Sequence, residues 1–423
     1  MPIFSFTTLG ENAMKKSYLA LAVLSAFAAS VQAQTNVTVG GIVQVDIKSY
    51  SVGNTTRASA NETRIDDDFG SRFWLTGSED LGGGNAAIFY IENRFNTDVN
   101  NVQGNGNGLA NGDTWVGLKG GWGQVTAGKH QMMFIQGLPT EAGLNGNSSI
   151  PNNMRGTYNI LDSVNGTSLT TTRVNNSVMY RSPNFSGFSG SIGVGASGSN
   201  GNEGTLACTG TGVTSIVSVV PAAGSTTQTA TCPTLTTATN GDYSTGRQLY
   251  VQGNYTSGPI YVNLAYWNTT VEGRPATVTA ATADQRALRL STSYALPMGL
   301  KIGLQVDRSS LQSVGRAAGV GGADRIRTAW EIPINYTFGP NTVLFSYTKA
   351  GNINVANSGA KMYVLGWDYQ FSKRTNVGIF YSRLNNDAAG VYQPFSAGTS
   401  GNGSTLLAGE SVSTLALGMK HTF

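Results

Sequence analysis

The sequence predicts an all-β fold, sixteen antiparallel strands closed into a transmembrane barrel, with tight turns at one end and long loops at the other. Three observations carry this expectation. Strand-like alternation of apolar and polar residues recurs from Val37 to the last residue. The connections between these segments alternate strictly between short and long. The closing stretch places Leu415, Leu417, Met419 and Phe423 on one strand face and Ala416, Gly418, Lys420 and Thr422 on the other. That period of two suits a wall with lipid on one side and water on the other. His421 interrupts the apolar face only near the end, where headgroups begin.

The first element is a leader. Met14-Lys15-Lys16, the apolar run from Leu19 to Ala29 and Val31-Gln32-Ala33 read as a secretory signal, with a basic start, a short apolar middle and small residues before the cut. The run falls short of the roughly 20 residues a spanning helix needs. Residues 1–33 are therefore expected to be a signal peptide and 34–423 the barrel domain, with Met14 a second candidate start. A signal-anchor helix is the alternative.

Seven short connections carry the Gly, Pro, Asn and Ser chemistry of turns: 79–84, 120–123, 184–187, 257–259, 297–299, 339–341 and 372–374. Eight long ones fall at 49–71, 97–112, 133–174, 197–246, 269–285, 310–324, 350–360 and 386–410. Fifteen connections join sixteen strands, and the even number returns both termini to one side. Segments such as 37–48, 85–96 and 361–370 have about the length a tilted strand needs to cross a bilayer. A soluble β-sandwich would share the alternation but has no reason to alternate its link lengths. A β-helix would need a fixed-period repeat, which the chain does not display.

Composition agrees. Glycine is abundant at 55 residues, charge is low at 12% and hydrophobic content is 40%, a mixture that fits one-sided strands with Gly-rich links. No segment after the leader is apolar for long enough to be a spanning helix. Loss of Lys15, Lys16 and Glu11 with the leader takes the net charge from +4 to +3. That balance gives no footing for nucleic acid, which requires clustered Lys and Arg. Cys208 and Cys232 share one irregular segment, and the secretory context leaves an oxidised pair or two free thiols open. Neither has a CxxC partner or a nearby histidine, so no metal and no cofactor are expected.

Alternation also sorts faces. Val37, Val39, Val43, Val45 and Ile47 point outward, with Thr38, Gln44, Asp46 and Lys48 opposite. Phe73 and Leu75 point outward, so Arg72 points inward; Ala87, Phe89 and Ile91 point outward, so Tyr90, Glu92 and Arg94 point inward. A cation on the lipid face costs about 2–4 kcal/mol at the midplane, which enforces the sorting. A barrel of this strand number is too wide for its own side chains to fill. The expected object is a water-filled channel.

Ser71-Arg72-Phe73-Trp74-Leu75-Thr76-Gly77-Ser78-Glu79-Asp80-Leu81-Gly82 resembles the second-strand and first-turn signature of general Gram-negative porins, in the β-proteobacterial branch of Neisseria, Bordetella and Burkholderia. Supporting stretches are Val116-Gly117-Leu118, Asn176-Ser177-Val178 with Tyr180, Ser182-Pro183-Asn184-Phe185-Ser186-Gly187-Phe188, Ser372-Lys373-Arg374-Thr375 and the Lys420-His421-Thr422-Phe423 end. The resemblance covers essentially the whole chain after the leader. It implies a homotrimer of sixteen-stranded barrels in the outer membrane, among lipid and lipopolysaccharide, passing ions and small hydrophilic solutes by diffusion. It also implies that the Phe423 strand is the signal read by the barrel-insertion machinery.

In that family the third long loop folds into the barrel and narrows it. Here the loop is about 133–172, and Leu138-Pro139-Thr140-Glu141 resembles its acidic tip. The basic wall opposite carries over to Arg72, Lys129 and Arg181, with Arg94 added by its facing. Alternation from Val125 and Ala127 turns Lys129 outward, so its place in the constriction requires a β-bulge. The loop departs from the pattern in holding few carboxylates, Glu141 and Asp162 against Arg155 and Arg173. Focused positive charge in a low-dielectric constriction raises local anion concentration, so a weak anion bias is expected.

Other readings stay open at this level. Arg72, Arg94 and Arg181 could be paired structural residues that hold the loop, and Glu141 a solvated loop charge. Gly104-Asn105-Gly106-Asn107-Gly108 lacks the strand–turn–helix setting of a phosphate loop. The histidines His130 and His421 lie at a strand end and near the terminus, and no Gly-x-Ser-x-Gly elbow is present, so an enzyme is not expected. Trp74, Tyr90 and Trp115 could face inward without forming an obvious track. A substrate-selective channel and a surface adhesin with an incidental pore are the alternatives to general diffusion.

Overall fold

A computed structural model of the chain describes residues 36–56, 61–66, 70–97, 109–132, 148–151, 154–169, 174–195, 247–270, 283–315, 322–394 and 406–423. Glu141, Cys208 and Cys232 lie outside them. In chain order the strands are β1 (Asn36–Gly53), β2 (Glu62–Asp66), β3 (Arg72–Gly82), β4 (Asn85–Arg94), β5 (Thr114–Gly120), β6 (Gly123–His130), β7 (Ser163–Val164), β8 (Thr167–Ser168), β9 (Val174–Arg181) and β10 (Phe188–Gly195). There follow β11 (Gln248–Ser257), β12 (Ile260–Thr269), β13 (Asp284–Ala295), β14 (Leu300–Val314), β15 (Ala323–Phe338), β16 (Asn341–Ala350), β17 (Ala360–Ser372), β18 (Thr375–Asn386) and β19 (Ser411–Thr422). β7 and β8 pair only with each other, as a hairpin inside the third long connection.

All other strands form one antiparallel sheet in sequence order, and β19 returns to β1 in unbroken register from Ile42–Thr422 to Gly53–Ser411. The opposite edge of β1 carries β3 along Asn36 to Ile42 and β2 along Asp46 to Tyr50. β2 and β3 thus share one place in the wall, and the closed barrel has sixteen strands. Closure leaves no edge whose N–H and C=O groups would face hydrocarbon unpaired. All seven short connections are tight turns between consecutive strands.

The outer face carries the expected residues. Val37, Val39, Val43, Val45 and Ile47 are exposed, whereas Gln44, Asp46 and Lys48 are buried on the inner face. On β17 the outward series is Lys361, Tyr363, Leu365, Trp367, Tyr369 and Phe371. Tyr363 to Phe371 spans eight residues, about 26 Å along the strand, which the tilt reduces to the height of a hydrocarbon band.

Strands run further than expected at the long-loop end. The connection expected at 49–71 loses its first residues to β1 and its middle to β2, and the one expected at 310–324 is shortened by β14 and β15. The physical reason is inward charge. Lys48 Nζ lies 2.8 Å from Asp66 and 3.2 Å from Asp46, all three buried. Polar side chains there mark the inner face of a strand, although in sequence they resemble loop composition.

The described part of the third long connection stays inside the barrel. Ile150, Met154, Ile160 and Leu161 pack against inward residues such as Phe380 and Met362, and Val164 and Leu169 pack with Trp267 and Tyr250. These apolar clusters exist because the loop, not the wall, supplies the facing surface. Its segment Thr157–Leu161 is a single π-helical turn.

The bulge required for Lys129 is present, since the β6–β9 register shifts between Gly128 and His130. Gly128 adopts φ +145°, and a Cβ there would lie 2.3 Å from the carbonyl oxygen of Thr114. Neither the dihedral nor the neighbouring backbone can yield cheaply. Gly128→Ala should therefore lower barrel stability in detergent by about 1–3 kcal/mol, read from the denaturant midpoint. Gly253→Ala, at a position with open space around it, should leave the midpoint unchanged. Equal midpoints for both variants would show that the bulge is not strained.

Candidate functional site

The lumen is divided by the inward loop, which is tied to the inner wall of β13 to β19 and β1. Alternation on β13, β14 and β15 turns Arg289, Asp307 and Arg327 inward, and all three are buried. Asp307 bridges the two arginines, at 3.0 Å from Arg289 Nε and 2.8 Å from Arg327 Nη1. Both guanidinium groups also donate to the carbonyl of Leu161, at 2.9 Å and 2.8 Å. That carbonyl ends the π-turn and has no partner further along it. Arg289 makes a second ion pair with Asp162 at 2.9 Å. A buried charge cluster is tolerable because each carboxylate is flanked by cations and each guanidinium finds several acceptors.

Hydrogen bonds from neutral donors to wall carboxylates extend the tie. Glu331 accepts from Thr157 Oγ1 at 2.8 Å and from Gln305 Nε2 at 2.9 Å. Ser149 donates to Asp368 at 2.7 Å, and its carbonyl accepts from Gln44 Nε2 at 2.9 Å. Gly156 sits where a Cβ would strike the Thr348 hydroxyl at 1.8 Å, so the loop backbone lies flush on β16.

The opposite wall is built by β3, β4, β5, β6 and β9. Arg72, Trp74, Tyr90, Glu92, Asp113, Trp115 and Arg181 are among the residues lining a cavity of about 330 Å³ there. Trp74 lies flat over Gly40, whose missing Cβ leaves the space. Glu92 is held tightly by Arg94, with Nε to Oε1 at 2.6 Å, more loosely by Arg72 at 3.9 Å, and accepts from the Tyr90 hydroxyl at 3.2 Å. Arg181 makes no ion pair or hydrogen bond through its guanidinium among the described residues. Glu92 and Asp113 together offset two of the three guanidinium charges of Arg72, Arg94 and Arg181, so the local charge at this wall stays positive by one.

Three rings form a row along this wall. Tyr90 and Trp115 stack with centroids 5.6 Å apart and planes 15° apart, and Trp115 continues onto His130 at 6.3 Å and 10°. His130 has no solvent-exposed surface. Its Nε2 is 2.8 Å from the Thr126 hydroxyl and its Nδ1 is 2.7 Å from that of Ser177. The Ser177 hydroxyl is in turn within 2.9 Å of the carbonyls of Gly128 and Val174.

The residues singled out in the sequence separate into three places. Arg72, Arg94 and Arg181 come together on one wall around Glu92. Lys129 sits apart from the cavity lining; the bulge directs its Nζ to the carbonyl of Ala110 at 2.6 Å. Asp162 is on the opposite side, engaged by Arg289 as part of the loop tie. Sequence reading missed Arg289, Asp307, Arg327 and Glu331, although the alternation that turned Arg72 inward applies equally to them. It also missed His130 as the end of the ring row, which depends on a bulge that pattern alone does not locate.

Comparison with known proteins bears on this architecture. The family model for Gram-negative porins matches residues 20–389. An outer membrane porin protein of Bordetella pertussis is 31% identical over 200 residues, covering 41% of this chain and 46% of the relative. The major outer membrane protein P.IB of Neisseria gonorrhoeae is 34% identical over 178 residues, again covering 41% and 46%. The matched stretch thus spans about half the length of these curated relatives. Among solved structures, an anion-selective porin from Comamonas acidovorans superposes with a TM-score of 0.65 at 21% identity, over 92% of this chain and 100% of that one. A trimer form of OmpT from Vibrio cholerae superposes with a TM-score of 0.57 at 11% identity. At these identities the two structures speak for the fold.

The tie can be tested through Arg155, a residue of the loop that is buried in the folded barrel and so shielded from trypsin. Asp307→Asn leaves two buried guanidinium groups without their shared anion, a loss of about 3–5 kcal/mol at the tie. Trypsin should then cut after Arg155 in the folded variant but not in the wild type. Identical protection in both would show that the loop is held without this cluster.

Proposed function

The chain belongs to the Gram-negative porin family and to the outer membrane of a Gram-negative bacterium, and from that premise we propose that it is a general diffusion channel for ions and small hydrophilic solutes, weakly biased toward anions. The observation that carries this reading is the loop tied across the lumen opposite a wall that keeps Arg72 and Arg181 facing open space. A closed barrel of this width is not filled by its own side chains. The loop narrows it without plugging it, and leaves a charged, wet passage beside the basic wall. In such a constriction a fixed positive charge raises the local concentration of anions more than it would in open water.

The working unit in this reading is a homotrimer, delivered by the signal peptide of residues 1–33 and inserted by the barrel-insertion machinery through the strand ending at Phe423. Its surroundings are outer-membrane lipid and lipopolysaccharide. No catalytic role is assigned. His130, the histidine beside a serine hydroxyl, is sealed between Thr126, Ser177 and Trp115 without a face open to solvent, and no substrate could reach it.

A second reading is a substrate-selective channel. The rings of Tyr90 and Trp115 in the cavity lining favour it, because aromatic rings beside guanidinium groups offer a surface along which a planar or sugar-like solute can slide. Permeation separates the two. Trp115→Ala should speed the swelling of proteoliposomes in neutral sugars if the channel is a sieve, and slow it for the preferred solute if the rings form a track. For the anion bias, Arg72→Gln with Arg181→Gln should move the zero-current potential in a salt gradient toward that of an unselective pore, with the folded barrel retained. An unchanged potential would remove these two arginines from the account of selectivity.

A further inference from the structure

One residue of the inward loop turns away from the wall that holds it. In the π-turn Thr157–Leu161, Thr157, Asn159, Ile160 and Leu161 are buried, whereas Tyr158 keeps part of its surface open. The four buried residues are spent on the inner wall. Thr157 bonds Glu331, Asn159 Nδ2 donates to the Met362 sulfur at 3.4 Å, and Ile160 and Leu161 join the apolar cluster. A π-turn holds one residue more than an α-turn, and the wider ring pushes a side chain off the packed face, a distortion common at functional sites.

That side chain faces the basic wall. The Tyr158 phenol lies within electrostatic reach of both Arg72 and Arg94, which stand directly opposite each other across β3 and β4. Those strands belong to the wall across the lumen from the loop tie, so the ring stands in the passage and not behind the loop. On the loop side it covers the Arg155 guanidinium, whose carbon is 5.7 Å from the ring centroid. This cation–π contact fixes the ring to the loop. Arg155 is itself anchored, with Nη2 donating to the Ile150 carbonyl at 3.1 Å.

The phenol sits among cations. Lys420, on the inner face of β19, is within electrostatic reach of Arg72 and of Arg155. The nearby carboxylates are engaged elsewhere: Asp162 by Arg289, Glu92 by Arg94, and Asp368 by Ser149 and Asn376. Positive charge around a phenol stabilises the electron density left on its oxygen, so the O–H is presented as a donor. Guanidinium donors thus border the passage on one side and a hydroxyl donor on the other. A planar oxyanion fits that arrangement, because it can give one oxygen to each. A halide meets the same charge but has no second oxygen to offer.

We propose that Tyr158 is a specificity-determining residue of the channel, the donor that favours carboxylates over halides at the narrow point. The proposal rests on the anion-biased channel reading, in which Arg72 draws in anions of any shape; Tyr158 then ranks anions of equal charge. An ion sheds part of its hydration at a constriction, and a protein group that replaces the lost water lowers the barrier to crossing. A ring of purely structural use would cover Arg155 equally well without its oxygen.

The test is the permeability ratio of acetate to chloride across a planar bilayer. It is read from the zero-current potential with potassium acetate on one side and potassium chloride on the other, at equal potassium concentration. Wild type is compared with Tyr158→Phe, which keeps the ring over Arg155, and Tyr158→Ala, which removes it. Loss of the hydroxyl should lower the acetate-to-chloride ratio roughly fivefold in both variants, the factor that one net hydrogen bond contributes. Chloride current should also rise in Tyr158→Ala, because the ring no longer occupies the passage. An unchanged ratio in Tyr158→Phe would overturn the proposal and leave the channel standing, as would a Tyr158→Ala variant whose chloride current does not rise. A wild type that inserts and carries no current would take down the channel reading, and this proposal with it.

Discussion

In hydrocarbon no backbone N–H or C=O group can be left without a partner, and a sheet meets that demand only by closing on itself. The pairing of β19 with β1 is where the chain satisfies it. Closure forces each strand to present one face to lipid and the other to the lumen, which is why Val43 and Gln44, adjacent in sequence, live in different solvents. The number of strands then sets the width, and the width leaves a lumen that side chains cannot fill. What the third long loop does follows from that vacancy. It folds inward because the inner wall offers a surface of charges and apolar patches that would otherwise face water.

The two walls of the lumen use the same residue types for different ends. On β13 to β15, Arg289 and Arg327 spend their donors on Asp307, Asp162 and the Leu161 carbonyl, so they fix the loop and present little field to a passing solute. Across the passage, Glu92 absorbs Arg94 while Arg72 and Arg181 border open space. The difference lies in the ratio: two carboxylates serve two arginines at the tie, whereas Glu92 and Asp113 serve three at the basic wall. The ring row of Tyr90, Trp115 and His130 stiffens the basic wall, and the Gly128 bulge positions its last member.

Much of this was legible before any coordinates. The period of two gave the faces, and turn chemistry with alternating link lengths gave the strand number, because both report rules that lipid imposes on every strand. The facing of Arg72 and Arg94 followed from the same rule, whereas Arg181 came from the family resemblance. Charged inner faces concealed the ends of β1 and β14 and the whole of β2, since Asp46, Lys48 and Asp66 look like loop residues until their ion pairs are seen. Asp162 was assigned to the constriction by its position in the loop, yet its partner Arg289 lies more than a hundred residues away, and no local pattern encodes that pairing. Lys129 depended on a bulge whose presence could be inferred but whose direction could not.

The central claim is that the tied loop narrows the lumen without closing it. Single-channel current of the detergent-purified protein in a planar bilayer, with a salt gradient across it, tests that most directly. Stable open steps, entering in one event and closing in three, with a zero-current potential of the sign for anions, are the expected result. Insertion of folded protein with no current would contradict an open lumen and turn attention to the long loops.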